Sequence, residues 1–214
     1  MEATLDSLTL AEACANLYSP SIALADIAIE SCTKYFSGHS DNFCGIIACS
    51  NKNFQKIKQT AVRLGDFVSS EACFNAIKGL RTLSTRLEKH QENALKVFNY
   101  LETKKSVKKI YYLPDKKNIY NKLWKKYFKL SNGLLTFSVK KMNKIESFID
   151  HLNFFKIGFS WGGYESLILP LNETKPSLKN YKKSVYWFRI HIGLESADDL
   201  IKDLERGFKN YEKK

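Results

Sequence analysis

Arginine is scarce in this chain. Of its 34 basic residues only five are arginine and 29 are lysine, yet they outnumber the acidic residues enough to give a formal charge of +12. Base edges and phosphates are read best by the guanidinium fork, so the lysine surplus favours a solvated surface over a nucleic-acid interface. The lysines are spread along the chain, with one dense stretch at residues 104–129. The five cysteines are odd in number and form no CxxC pair. That pattern supports neither a disulfide framework nor a zinc site, and leaves them as small buried hydrophobes in a reducing compartment. No apolar run nears the ~20 residues of a membrane span. The first six residues, Met1 to Asp6, are acidic and lack the basic and apolar regions of a signal peptide. A cytoplasmic location is expected, with no metal and no membrane partner.

What is present is an alternation of strand and helix patterns. Residues 25–31 read as a short strand with Ile27 and Ile29 on one face, and residues 45–49 as a second, short and buried. Helical spacing runs through 51–67, with Phe54, Ile57, Ala61 and Leu64 as its stripe, and through a long stretch at 70–102. Ser70 is the expected cap of that stretch, and Gly79 a possible interruption. Further on, strands are expected at 107–112, 134–139 and 185–192, and helices at 120–130, 145–155 and 197–208. Ser196 would cap the last helix, with Asp198 and Asp199 at its positive end. This order predicts an α/β fold, with a domain boundary near the long helix that divides residues 1–80 from 81–214.

Three places carry residue types suited to chemistry. Ser31 and Thr33 lie two apart, so on a strand they would share a face where their hydroxyls could hold a phosphate. Lys34 follows them, and an amine in a half-buried pocket can lose its proton and condense with an aldehyde. Gly162 and Gly163, flanked by Ser160 and Trp161, allow a tight turn beside a ligand. Arg189 alternates with apolar Phe188 and Ile190, so it faces the other surface, where its fork suits a carboxylate. Taken one by one, each has a plainer reading as a surface lysine, a loop beside a buried tryptophan or a surface ion-pair arginine.

In order, four segments resemble one family. Thr33-Lys34-Tyr35-Phe36-Ser37-Gly38-His39-Ser40-Asp41 resembles TKYxxGHSD. Gly79-Leu80-Arg81-Thr82-Leu83 with Arg86 resembles GLRTLxxR. Ser160-Trp161-Gly162-Gly163-Tyr164-Glu165-Ser166-Leu167 and Phe188-Arg189-Ile190-His191-Ile192-Gly193-Leu194-Glu195 complete the set. Together, over about residues 17–208, they resemble the pyridoxal-phosphate-dependent enzymes of cysteine and methionine metabolism. The resemblance implies a partial large domain of the aspartate-aminotransferase-like, fold type I architecture, followed by a small α/β C-terminal domain. It implies pyridoxal 5'-phosphate on Lys34, its phosphate near Ser31 and Thr33, and a substrate carboxylate on Arg189. Ser160 and Trp161 would line the substrate pocket. The Ser-Trp pair resembles the beta-lyases of the family, whereas its gamma-acting members carry leucine at the position of Trp161. The implied reaction is β-elimination of cystathionine, a small amino-acid thioether, in a homo-oligomer (a tetramer in the family).

The chain departs from the pattern upstream of Lys34. The aspartate that pairs with the pyridine nitrogen is expected near Thr9 to Ala11, which read Thr-Leu-Ala; Asp6 stands in a different context. The family's upstream part, with its phosphate loop and the residues lent to a neighbouring subunit, has no counterpart. The expectation is a truncated or split protein, either needing a separately encoded N-terminal half or catalytically inactive.

Overall fold

In the computed structural model, residues 26–171 and 184–213 are described. The chain opens with an antiparallel ribbon of β1 (Ile27–Ser31) and β2 (Gly45–Cys49), in register from Ile27 opposite Cys49 to Ser31 opposite Gly45. Helix α1 (Asn51–Leu64) follows and ends at Gly65, whose φ of 72° is the left-handed turn glycine adopts without strain. Its apolar stripe is the one expected, but none of its residues is buried.

The helical stretch expected over 70–102, with Gly79 as its candidate interruption, is two helices, α2 (Ser70–Arg81) and α3 (Leu83–Glu102), broken three residues beyond that glycine. Ser69, not Ser70, caps the first, accepting from Ala72 N at 3.2 Å. The break at Thr82 has a tertiary cause. The backbone of Phe36 and Ser37 crosses α2 so closely at Gly79 that a Cβ there would sit 2.2 Å from Phe36 O. Arg86, buried one turn into α3, donates from Nη2 to both Gly79 O (2.7 Å) and Phe36 O (3.2 Å), and from Nε to Thr82 Oγ1 (3.0 Å). The GLRTLxxR residues therefore staple the break to the segment after β1. Burial pushes Arg86 down to about 10.

A five-stranded sheet follows, in the order β3 (Val107–Tyr111), β4 (Leu134–Lys140), β7 (Val185–His191), β6 (Leu167–Pro170), β5 (Lys156–Ile157). Only β5 and β6 run parallel. β5 and β6 were not expected: two residues carry no period, and β6 ends in Pro170. The intervening helices are shorter than their patterns, α4 at Asn121–Tyr127 and α5 at Glu146–Ile149. After α5 the buried Asp203 carboxylate takes the N–H groups of Asn153, Phe154 and Phe155, which ends helical pairing there. The final helix, α6 (Ala197–Tyr211), starts after Ser196, whose side chain makes no capping bond.

Two apolar clusters result. One joins Cys32, Tyr35 and Phe36 to Ala76, Leu80, Leu83 and Leu87. The larger lies between α3, α5 and α6 and one face of the sheet, with Phe137, Phe148, Phe188 and Phe208 at its centre. Alternation along β7 places Phe188 and Ile190 in that core and turns Trp187, Arg189 and His191 to the opposite face. Among the described cysteines only Cys32 is buried; Cys44, Cys49 and Cys73 are half-buried, because the ribbon and α2 are covered on one side only. Cys14 lies outside the described residues, as do Thr9 to Ala11. Among the described residues no helix is long and apolar enough to cross a membrane.

Candidate active site

The segment from β1 to Lys34 does not continue as a strand. β1 stops at Ser31, and Lys34 N donates to Ser31 O at 3.1 Å, closing a turn. Ser31 and Thr33 therefore do not share a strand face. Thr33 points at β2: its hydroxyl donates to Cys44 O at 3.3 Å and accepts from Cys44 N at 3.1 Å. A hydroxyl has one proton to give, and a phosphate dianion only accepts, so Thr33 would have to leave Cys44 O to bind one. Ser31 instead lines a cavity of about 140 Å³ with Lys34, Phe128, Leu130, Asn132 and Trp161.

Lys34 is brought to residues 126 positions away. Its Nζ donates to Ser160 Oγ at 2.9 Å and lies 5.2 Å from the centre of the Trp161 ring. The backbone of Ser160 is tied in turn to Arg189. That guanidinium donates from Nη2 to the carbonyls of Gly158 (3.4 Å), Phe159 (2.8 Å) and Ser160 (3.2 Å), while its buried Nε has no partner among the described residues. Burial holds Arg189 below the usual guanidinium range, though it stays a cation. The loop before β6 thus gathers Lys34, Ser160, Trp161 and Arg189 at one place.

A layer of rings supports this loop. Tyr35 lies 5.7 Å from Trp161, 5.2 Å from His90 and 5.8 Å from His191 by ring centres. Its hydroxyl accepts from Gly133 N, and burial pushes the phenol up. Gly162 presses on the lysine itself: at φ 90°, a Cβ there would meet Tyr35 N at 2.9 Å and Lys34 Cα at 3.1 Å. Ser40, at φ 59°, donates to the Glu165 carboxylate at 2.7 Å, tying the GHSD residues to the same loop. His90 and His191 are pushed down to about 4 and about 3, in both cases by burial first. Sequence reasoning gave no role to Tyr35, Ser40, His90, Glu165 or His191. The signals available were that Tyr35, Ser40, Glu165 and His191 lie within the resembling segments and that His191 is two residues from Arg189 on one strand; His90 carried none.

The donor set suits an aldehyde cofactor in part. Lys34 offers an amine at the mouth of a cavity, beside a flat ring and the Ser31 hydroxyl. That cavity is smaller than the ~300–1,000 Å³ usual for a bound small molecule. These residues would therefore form one wall of a larger site.

The family described as Cys/Met metabolism PLP-dependent enzyme matches residues 13–209. Cystathionine beta-lyase of Escherichia coli is 34% identical over 192 residues, covering 86% of this chain and 48% of that protein. An L-alanine/L-glutamate racemase of Wolbachia pipientis is 35% identical over 194 residues, covering 88% and 48%. Among solved structures, cystathionine gamma synthase of Xanthomonas oryzae superposes with a TM-score of 0.83 at 30% identity, over 92% of this chain and 53% of that one. Cystathionine gamma-lyase of Lactobacillus plantarum gives 0.82 at 28% identity, over 93% and 54%. The chain spans about half the length of the relatives it matches, and the expected α/β, fold type I architecture holds over that half. By the family match and these relatives, the chain belongs to the pyridoxal-phosphate-dependent enzymes of cysteine and methionine metabolism.

Proposed function

We propose that this chain is the cofactor-lysine half of a carbon–sulfur lyase that converts cystathionine and water to homocysteine, pyruvate and ammonia. One observation carries the reading. The amine of Lys34 and the guanidinium of Arg189 meet on the same residue, Ser160, beside the Trp161 ring. Bound pyridoxal phosphate would supply an electron sink for the pair left at the substrate's α-carbon. Lys34 would hold the cofactor's aldehyde carbon; freed by the substrate amine, its Nζ would take the α-proton and give a proton to the departing sulfur. Ser160 Oγ, 2.9 Å from Nζ, would orient the amine as that proton is handled. Arg189 would turn its fork from the 158–160 carbonyls to the substrate carboxylate, and Trp161 would limit how the thioether chain lies. Ser31 would meet the phosphate first, and Thr33 on leaving Cys44. The beta-lyase assignment, against the gamma-acting members, rests on the Ser-Trp pair.

The reading includes a partner. α1 buries none of its residues, and Ile29, Phe43 and Phe67 are 73%, 91% and 90% exposed. The N-terminal part of such an enzyme would cover these residues, supply the pyridine-nitrogen carboxylate and complete a homo-oligomeric enzyme. Within the chain, residues 1–80 would belong to the cofactor domain and 81–214 to the C-terminal domain. A cytoplasmic setting in methionine biosynthesis goes with this reading. An amino-acid racemase is the second reading, favoured by the relative at 35% identity. Removing and returning an α-proton needs the same Lys34 amine.

The test is borohydride trapping of the cofactor-treated chain with peptide mapping, then pyruvate release from cystathionine. The label should fall on Lys34 alone; spread over surface lysines, it sinks the assignment. Alone, the chain should turn over at least ~10²-fold more slowly than when co-expressed with the N-terminal half of a relative, since each missing electrostatic contact costs about that much. D-alanine formed from L-alanine by the complemented protein, without pyruvate, would establish the racemase instead.

A further inference from the structure

His191 is buried, lies two residues from Arg189 on the same face of β7, and has no part in the chemistry above. Both of its ring nitrogens are engaged by backbone. Gly162 N donates to Nε2 at 3.1 Å, and Nδ1 lies 3.0 Å from Glu165 O. A backbone N–H is received only by a bare ring nitrogen, and a carbonyl is met only by one that carries hydrogen. The ring is therefore neutral, with its proton on Nδ1.

The two bonds close the 162–165 turn from behind. In front, the turn rests on the Lys34 backbone at Gly162, and on its far side Glu165 receives Ser40 Oγ. Ser160 and Trp161 enter the turn directly. We infer that His191 is a positioning residue, whose neutral ring clamps the 162–165 turn and so sets where Ser160 and Trp161 stand against Lys34. The clamp itself stands on geometry; its catalytic consequence rests on the function proposed above.

The groups facing the ring explain why it stays neutral. His90 of α3 lies 5.2 Å away by ring centres, Tyr35 lies 5.8 Å away, and Arg189 is on the same strand. Glu165 offers its carbonyl to the ring, while its carboxylate is turned to Ser40. Arg86 stands behind His90 and adds further positive charge. No carboxylate faces the ring to favour a second proton among the described residues. A proton forced onto Nε2 would point at the Gly162 N–H and open the turn.

The experiment uses the full chain, isotopically labelled, without cofactor. Long-range nitrogen–proton correlation reports the His191 tautomer, and hydrogen exchange reports the Gly162 amide. At pH 7 the ring should be the Nδ1–H form and the Gly162 amide should be protected. In His191→Phe that protection should fall at least roughly tenfold while amides of the β4–β7 ladder keep theirs. In His191→Gln, which can both accept from Gly162 N and donate to Glu165 O, protection should be largely restored. An Nε2–H tautomer overturns the inference, as does unchanged Gly162 protection in His191→Phe with the ladder intact. If His191→Phe does not fold, the wild-type tautomer and the His191→Gln protection decide. None of these readouts involves the cofactor. A clamp present without labelling of Lys34 therefore sinks the proposed function, and labelling without a clamp sinks this inference.

Discussion

Helices α1 and α6 are nearly equal in length, and each gathers its apolar residues on one stripe, yet their fates differ. α6 buries Leu200, Leu204, Phe208 and Tyr211 against the sheet and α5; α1 buries nothing. Amphipathicity records that a surface needs covering, not which chain covers it. The C-terminal sheet finds its cover within 214 residues, whereas the ribbon and α1 belong to a protein whose relatives are about twice as long. The sharpest way to break this contrast is at the packed end. Phe148 is fully buried among Phe137, Phe188 and Phe208. Phe148→Ala should cost ~3–5 kcal/mol in denaturant unfolding. A cost below about 1 kcal/mol would mean that the C-terminal core is no better packed than the ribbon.

Acid should strike the seam between the two regions, where His90 and His191 sit. Both are depressed in the folded chain, to about 4 and about 3, from an ordinary value near 6.5. The unfolded chain therefore binds more protons, and stability rises with pH. The contribution is complete above about pH 6.5 and drains as the pH falls toward 4 and then 3. Near pH 5 each histidine should cost on the order of 1–2 kcal/mol. Denaturant midpoints at pH 7 and pH 5 measure the sum, and His191→Gln should remove its own share of the difference. A midpoint that does not move with pH would show that neither ring is kept neutral.

Two glycines repeat the contrast on a smaller scale. Gly65 ends α1 at φ 72° with nothing within 4 Å of a built Cβ, while Gly162 at φ 90° abuts the Lys34 backbone. Gly65→Ala should cost only the backbone strain, about 1 kcal/mol. Gly162→Ala adds a clash the lysine must yield to, and should cost ~2–3 kcal/mol and slow borohydride trapping at Lys34. Equal losses in the two variants would mean that the Gly162 contact gives way freely.

The sequence was readable where a residue's neighbours in space are its neighbours in the chain. The alternation of Phe188, Arg189 and Ile190 correctly put the arginine on the face away from the core, and the helix expected at 197–208 is α6, three residues longer. The four family segments were in plain view, but their mutual contacts were not. Thr33 leaves the Ser31 face because a turn bond from Lys34 ends β1, and no strand alternation foretells that. The break at Thr82 is imposed by Phe36 and Ser37, more than forty positions upstream, and by Arg86 reaching back across it. Ser160 meets Lys34 over a separation of 126 positions. Such contacts follow from topology, and β5, which lies just before the Ser160 loop, is too short to carry any period.

The smallest expected effect is on the uncovered side, and it tests the comparison most directly. Leu64 and Phe67 are 70% and 90% exposed at the end of α1. Changing both to serine removes apolar surface from water rather than from a core, so each should alter the unfolding free energy by no more than ~0.5 kcal/mol. Self-association should fall, because apolar side chains this exposed promote it. Light scattering and denaturant unfolding of the double variant read both quantities on one sample. Complementation by an N-terminal half should weaken in the same variant, even though its stability is unchanged. That combination, a silent change in the isolated chain and a loss in the assembled enzyme, is what an uncovered interface predicts and a covered core does not. A loss of ~2 kcal/mol or more in the isolated chain would mean that the face is already buried there, and the difference drawn between α1 and α6 would not stand.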